Sequence, residues 1–448
     1  MHIEQFTDKA LSHFSYAILC GHKMALVDPA RNPLPYYKFA EKHQAKIVAI
    51  FETHPHADFI SSHYQIHKET GAKIYVSKDL GADYPHETFD EGDEFSINHV
   101  HFSAINTPGH SPDSICVLAK DTQTPKEALF TGDTLFIGDV GRPDLREDAG
   151  NMKATRESLA KAMYHTVQNK FSNLSDEVLI YPAHGAGSLC GKNMSDASSS
   201  TLGNERMGNW AFKSQTEEEF VQELLNDQPF VPSYFGFDVD TNKKGPENFM
   251  LSIWSVPLNI NVSGLEDDYL VIDAREPDAY KSGHIPNSIN IMARDENDRF
   301  ETWLGAIVKP NEKIFLVIKS IDDYQYILDR VARIGYENQI LSVITLAENL
   351  EEKDEVLDLE DFKSKPEDYT IIDIRNPSEV ANGLFFENAE HYPLNDLRET
   401  AKDIPDDKPI IVHCAGGYRS RAGYGIIKNI KPNAQVFDLS FAVSDFKS

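Results

Sequence analysis

Two stretches set one hundred positions apart open in the same way, and this duplication constrains the fold more than any other feature of the chain. The first reads Tyr269–Val271, Asp273, Arg275, Glu276, Pro277, then Gly283-His284-Ile285-Pro286; the second reads Thr370–Ile372, Asp373, Arg375, Asn376, Pro377. Each apolar run is short enough to be a buried strand, and each Pro sits where a helix begins. A second apolar run follows in both copies, Ile314–Ile318 and Ile410–Val412, and a helical run comes after it. Strand, turn, helix, strand, loop, helix, written twice, predicts two small doubly wound α/β domains in tandem. The acidic segment Glu348–Asp368, poor in aromatic residues, is expected to be the linker between them.

The chain before the duplication has a different texture. Met24–Val27, Ile47–Phe51, Lys73–Val76, His101–Ile105, Ser114–Leu118, Ala128–Phe130 and Val178–Ile180 are predicted strands, separated by connections rich in Gly, Pro and His. Ile60–Thr70, stopped by Gly71, and Lys153–Phe171 are predicted helices. This pattern predicts a layered α/β domain over residues 1–245, with Asp238–Asn248 as a polar linker. Degenerate and intact copies of the smaller unit are expected over 255–350 and 358–448.

Four polar clusters each follow a predicted strand in the first domain: Thr53-His54-Pro55-His56-Ala57-Asp58-Phe59, Thr107-Pro108-Gly109-His110, Thr131-Gly132-Asp133 and Pro182-Ala183-His184-Gly185. Loops at strand ends are where a rigid scaffold presents chemistry. Imidazole with carboxylate suits zinc, iron or manganese. The chain has 17 histidines, so most must serve other purposes. His99 and His101 lie in an alternating strand with no Asp beside them and read as ordinary strand residues. His63 and His67, one helical turn apart, read as a solvated helix face.

Composition narrows the partners. Lys plus Arg minus Asp plus Glu is 43 − 71 = −28, a surface that repels phosphate backbones and anionic membranes. Neither nucleic acid nor a membrane is an expected partner. No run of about 18 apolar residues exists to span a bilayer. Met1–Gly21 shows no signal-peptide pattern. The four cysteines, Cys20, Cys116, Cys190 and Cys414, are too few for a disulfide scaffold and point to reduced thiols in the cytoplasm.

The ordered set His54-Pro55-His56-Ala57-Asp58, His110, Asp133 and His184 resembles the metallo-β-lactamase fold superfamily. The resemblance implies an αββα sandwich with metal in a groove at one edge. Two-metal hydrolases of that superfamily carry a further His where Phe59 stands here, and Phe59 cannot ligate. The flanking Ser111-Pro112, Gly138-Asp139-Val140-Gly141-Arg142-Pro143-Asp144 and His184-Gly185-Ala186-Gly187-Ser188-Leu189-Cys190-Gly191-Lys192 are similar to the persulfide dioxygenase branch. That resemblance implies one Fe(II) ion held by His54, His110 and Asp133, with His56, Asp58 and His184 orienting the ligands from behind. It places Arg142 at the polar end of the substrate. Cys190 reads either as a substrate-facing or regulatory thiol or as a buried inert one. With zinc as the metal, His56 would be the next ligand.

Cys414-Ala415-Gly416-Gly417-Tyr418-Arg419 follows the second strand of the second copy. Gly416 and Gly417 let backbone amides turn inward, and a helix expected from near Ser420 adds its N-terminus, so the loop forms an anion nest around a thiol. Arg419 and Arg421 add positive charge to an acidic chain. Cysteine phosphatases place five residues between Cys and Arg; here four intervene, a tighter ring suited to sulfane sulfur. The loop and the strand–Asp-x-Arg–Pro opening resemble the rhodanese family. The resemblance implies that Cys414 carries sulfur as a persulfide, with Arg419 catalytic and Gly416, Gly417 and Tyr418 lining the substrate. In place of the family's Gly-His-Ile-Pro, this copy has Gly383-Leu384-Phe385-Phe386, which predicts a reshaped wall. The first copy has Lys319 in the Cys position and Ser320-Ile321-Asp322-Asp323 in the loop, so it reads as catalytically dead.

Together these resemblances imply a persulfide dioxygenase fused to a rhodanese tandem. It would turn a small-thiol persulfide and O2 into thiol and sulfite, and link sulfite and thiosulfate through Cys414, in the service of sulfide detoxification. A homo-oligomer is expected. The alternatives are a zinc thioester or lactone hydrolase of the glyoxalase II type with a separate sulfurtransferase domain, and a non-enzymatic sulfur carrier.

Overall fold

The computed structural model describes residues 1–146, 155–265, 269–348, 350 and 352–446. Lys153, the expected start of one helix, and Asn349 and Glu351 of the expected acidic linker lie outside the described residues. The chain divides into two units, Met1–Leu251 with Ala332–Gly335, and Ser252–Val331 with Tyr336–Ser448.

The first unit is built on two six-stranded sheets. His2–Asp8, His13–Cys20, Lys23–Val27, Lys46–Phe51, Lys73–Val76 and Glu87–Thr88 form one, in chain order. Glu94–Ile97, Val100–Asn106, Ile115–Asp121, Glu127–Gly132, Leu179–Pro182 and Ser200–Thr201 form the other. The facing sides interlock through Tyr16, Ile18, Val27, Phe51, Phe102, Val117 and Phe130, all buried. Strands such as His13–Cys20 are buried on both faces and therefore read as apolar without alternation. Outside, Tyr36, Phe39 and Ile66 cover the first sheet, and Met163, Val167, Phe220 and Leu224 cover the second. This is the expected αββα sandwich.

The strand predictions hold at their centres and miss five strands, among them His2–Asp8 and His13–Cys20. The expected linker at 238–248 is instead mostly helix, Phe235–Lys244, followed by Phe249–Trp254. Its charged residues hid a buried face of Phe235, Asp238, Val239 and Asn242. His63 also departs from expectation, because its ring is buried rather than solvated.

The second unit holds both copies of the repeat, each a parallel sheet. The first runs Leu258–Val262, Ile340–Leu346, Ile314–Ile318, Leu270–Asp273, Ser288–Asn290. The second runs Glu390–His391, Thr370–Asp373, Ile410–His413, Val436–Asp438. In both, the strand-end Asp receives the Arg two residues on, Asp273 from Arg275 at 2.7 Å and Asp373 from Arg375 at 2.6 Å. That pairing is the physical content of the repeated Asp-x-Arg.

The first copy also contains a fully buried ion pair, Arg330 with Glu301 at 2.6 and 2.8 Å. The same guanidinium donates to the carbonyls of Asp295 and Asp298. Removing one partner strands a buried charge. Arg330→Ala is expected to destabilise the second unit by about 3–5 kcal/mol, read as a lowered thermal midpoint. A loss under about 1 kcal/mol would show that the pair is not desolvated.

Candidate metal centre and cysteine loop

At one end of the sandwich, the loops after Lys46–Phe51, Val100–Asn106, Glu127–Gly132 and Leu179–Pro182 converge. They bring together His54, His110 and Asp133, each with one potential ligand atom within 4.8 Å of the others. Asp133 Oδ2 lies 3.7 Å from His54 Nε2 and 3.5 Å from His110 Nε2. His54 Nε2 and Asp133 Oδ2 are buried and make no hydrogen bond. Buried polar atoms are ordinarily satisfied, so unpaired lone pairs converging on one point fit a divalent cation.

The surroundings fix which atoms face that point. His110 Nδ1 donates to the Arg142 carbonyl at 2.8 Å, which leaves Nε2 turned inward. His54 Nδ1 meets Thr53 Oγ1 at 3.1 Å, and that hydroxyl donates to Asp28 at 2.9 Å. Asp133 Oδ1 takes His184 Nδ1 at 2.7 Å, which leaves Oδ2 as the oxygen turned toward that point. Gly141 makes this close packing possible, since a Cβ there would run into His110 at 2.9 Å. Burial raises the Asp133 carboxyl, but His184, His54 and His110 outweigh it and hold the group well below the ordinary range. Burial lowers His184, and Asp133 and Asp58 reverse that, so its ring is held charged between two carboxylates.

The remaining predicted residues divide. His56, Asp58 and His184 join the cluster: His184 Nε2 is 2.9 Å from Asp58, and His56 shares a candidate group with Asp133 and His184. Cys190 is buried, its sulfur within 4.8 Å of ligand atoms of Asp58 and His184, and burial pushes its thiol well up. Arg142 is expected to present its charge to substrate. Its guanidinium is instead buried, bound to Asp144 at 2.6 and 2.7 Å and to the Leu189 carbonyl at 3.2 Å. A neutralising carboxylate two residues away makes it a tie between loops, and its backbone carbonyl is what serves the site.

Three contributors were not foreseen. His13 packs its ring 3.9 Å from Phe59 and 5.4 Å from His184. Asp28 anchors Thr53 and approaches His56 Nε2 at 3.3 Å. Asn242 holds the ligand loop from the helix taken for a linker, donating to the His56 and Phe59 carbonyls at 2.9 and 2.8 Å. An isolated His in a strand and an Asn in a charged stretch carry no spacing signal. Asp28, at a strand end, did.

In the second unit, the helix Tyr418–Ile430 starts directly after the glycines. Gly417 has φ 88°, and its amide donates to Cys414 Sγ at 3.2 Å. A Cβ there would sit 2.6 Å from the Ser440 carbonyl carbon. Gly416 is exposed at the mouth. Arg419 binds Glu379 through both terminal nitrogens at 2.5 and 2.6 Å. Two expectations change. Tyr418 does not offer its hydroxyl to substrate, because it donates to the Met292 carbonyl at 2.9 Å. Arg421 adds no free charge, because it is buried against Asp354 at 2.6 Å and Asp438 at 3.3 Å. Phe385 and Phe386, at the departure from Gly-His-Ile-Pro, wall in His413 with ring centroids at 5.8 and 5.1 Å.

Burial lowers His413 to about 4, with Asp373 opposing. The unfolded ring titrates near 6.5, so between these values the unfolded chain binds more protons. The contribution of His413 to stability is therefore expected to be full above pH 6.5 and to fall by ~3 kcal/mol as pH drops to 4. Glu379 is also depressed, since Arg419 outweighs its burial, and its share is lost lower still. His413→Gln is expected to flatten the fall in thermal midpoint between pH 6.5 and 4. Identical slopes would count against a buried neutral ring.

Residues 9–184 match the metallo-beta-lactamase superfamily, and residues 262–344 and 356–445 match the rhodanese-like domain. A structure of a metallo-beta-lactamase from Staphylococcus aureus subsp. aureus COL is 32% identical, aligning over 77% of this chain and 99% of its own with a TM-score of 0.66. A probable hydroxyacylglutathione hydrolase of Schizosaccharomyces pombe is 28% identical over 48% of this chain and 88% of its own. A hydroxyacylglutathione hydrolase of Francisella tularensis subsp. novicida is 25% identical over 40% and 65%.

Proposed function

Because this chain belongs to the metallo-beta-lactamase superfamily, with two rhodanese-like domains following, we propose that it oxidises a low-molecular-weight thiol persulfide and handles the product sulfur at Cys414. The overall change is RSSH + O2 + H2O giving RSH, sulfite and two protons. The observation that carries this reading is the ligand set. His54, His110 and Asp133 make a two-His, one-carboxylate face, and Phe59 removes a ligand for a second metal.

Fe(II) held by those three residues would supply the redox-active binding of O2 and persulfide sulfur that the reaction needs. The protein's own residues do the rest. The Arg142 carbonyl and the Asp28–Thr53 pair keep two imidazoles in the ligating tautomer. His184 keeps one Asp133 oxygen occupied and the other free. Phe59 packs its ring against His13 and His56, with centroids 3.9 and 4.4 Å away, and lines that side of the centre with aromatic surface.

At the second site, the Cys414 thiolate attacks the outer sulfur of thiosulfate. The S–S bond breaks, sulfite leaves with the electron pair, and the new persulfide passes its outer sulfur to an acceptor thiolate or cyanide. Run backwards, the same step consumes sulfite and forms thiosulfate. The Gly417 amide and Arg419 face the developing charge.

The second reading is zinc-dependent thioester hydrolysis, favoured by the names of the hydroxyacylglutathione hydrolase relatives and by His56, which shares a candidate ligand group with Asp133 and His184. Metal exchange separates the two. Protein loaded with Fe(II) should consume O2 with glutathione persulfide and leave S-lactoylglutathione intact. Hydrolysis of the thioester by the zinc form, with no O2 uptake by the iron form, would favour the second reading.

A further inference from the structure

The first rhodanese-like copy has lost its thiol, yet it reaches the live cysteine loop and the helix that follows it at several points. Tyr418 Oη donates to the Met292 carbonyl at 2.9 Å. The Arg419 guanidinium carbon lies 5.6 Å from the centroid of the Trp303 ring. Further along the same helix, a Cβ on Gly425 would be 2.9 Å from the Ser288 carbonyl oxygen, so the helix lies directly on the edge strand Ser288–Asn290. Positions 418, 419 and 425 therefore all rest on the degenerate copy.

We infer that Trp303 is a positioning residue for sulfur transfer at Cys414, and that the degenerate copy persists as the other half of this site. The argument rests on the proposed role of Cys414 as a sulfur carrier. Arg419 is close enough to the Cys414 sulfur to interact with it electrostatically. Glu379 grips both terminal nitrogens and fixes the position of the guanidinium, but a carboxylate alone lets its plane swing about the shared axis. An indole facing the guanidinium supplies the missing restraint, and indole is the best aromatic partner for a cation. Trp303 is 6% exposed, on the helix Phe300–Ile307, so it is a fixed surface rather than a mobile cover.

The first copy's own loop supports this division of labour. Ser320 and Asp323 close it as a capping box, and Ala279 stands in the register of Glu379, so thiol and carboxylate clamp are missing together. What that copy retains is the surface against which the other copy's arginine is held.

The test is steady-state transfer from thiosulfate to cyanide by the full-length protein. Trp303→Ala is expected to lower kcat/KM about tenfold, mainly through KM for thiosulfate. Trp303→Phe should recover most of the loss, because it restores an aromatic face. Unchanged kcat/KM in a folded Trp303→Ala protein would overturn the inference. If that variant does not fold, Tyr418→Phe decides: it keeps the ring, removes the bond to Met292, and should raise KM about threefold. No change there would equally overturn it. Absence of transfer in the wild type would instead remove the sulfur-carrier reading.

Discussion

Cys414→Ser is expected to abolish sulfur transfer, with a loss of at least about a thousandfold in kcat/KM from thiosulfate to cyanide. A hydroxyl in the same place is neither ionised near neutral pH nor nucleophilic toward sulfane sulfur. The cradle should survive the change, since Gly417 still turns its amide inward and Arg419 remains bound to Glu379. The wild type should show a mass increase of one sulfur on the Cys414 peptide after thiosulfate treatment, and the variant none. Persistent transfer in the variant would move the chemistry to another thiol. Cys20, Cys116 and Cys190 are poor candidates, because burial raises each thiol, Cys20 and Cys116 to about 12.

The second large effect is at the other site. His110→Ala removes a ligand and also breaks the bond to the Arg142 carbonyl that spans two loops. Iron affinity should fall by more than about a hundredfold, measured as metal retained after dialysis against a chelator. Persulfide-dependent O2 uptake should fall with it, while thiosulfate-to-cyanide transfer stays at the wild-type level. Loss of both activities together would mean that the variant had perturbed the second unit as well.

The candidate metal-binding cluster was legible because three signals agreed, residue type, order, and position just past an apolar strand, whereas the choice of His54, His110 and Asp133 within it came from the family resemblance. The His-x-His-x-Asp run, His110, Asp133 and His184 needed no knowledge of the fold to be grouped. Cys414 was legible for the same kind of reason, since paired glycines between a strand and an arginine have no role in an ordinary buried turn. What stayed hidden depends on contacts distant in sequence. Asn242 looked like linker because Lys243 and Lys244 dominate its surroundings, while its function rests on carbonyls more than 180 positions earlier. Arg142 and Arg421 looked free because their partners Asp144 and Asp354 are ordinary acids in an acidic chain. The strands His2–Asp8 and His13–Cys20 were missed for want of alternation or a flanking turn signal strong enough to bound them.

The central claim is that the His54, His110, Asp133 centre spends O2 on persulfide sulfur. Its most direct test is O2 consumption by anaerobically Fe(II)-loaded protein, started with glutathione persulfide and other small-thiol persulfides, with sulfite and thiol counted alongside. The account predicts one O2 consumed and one thiol and one sulfite released per persulfide, and loss of all three in His110→Ala. Protein verified to hold iron that consumes no O2 with any of these persulfides would contradict it.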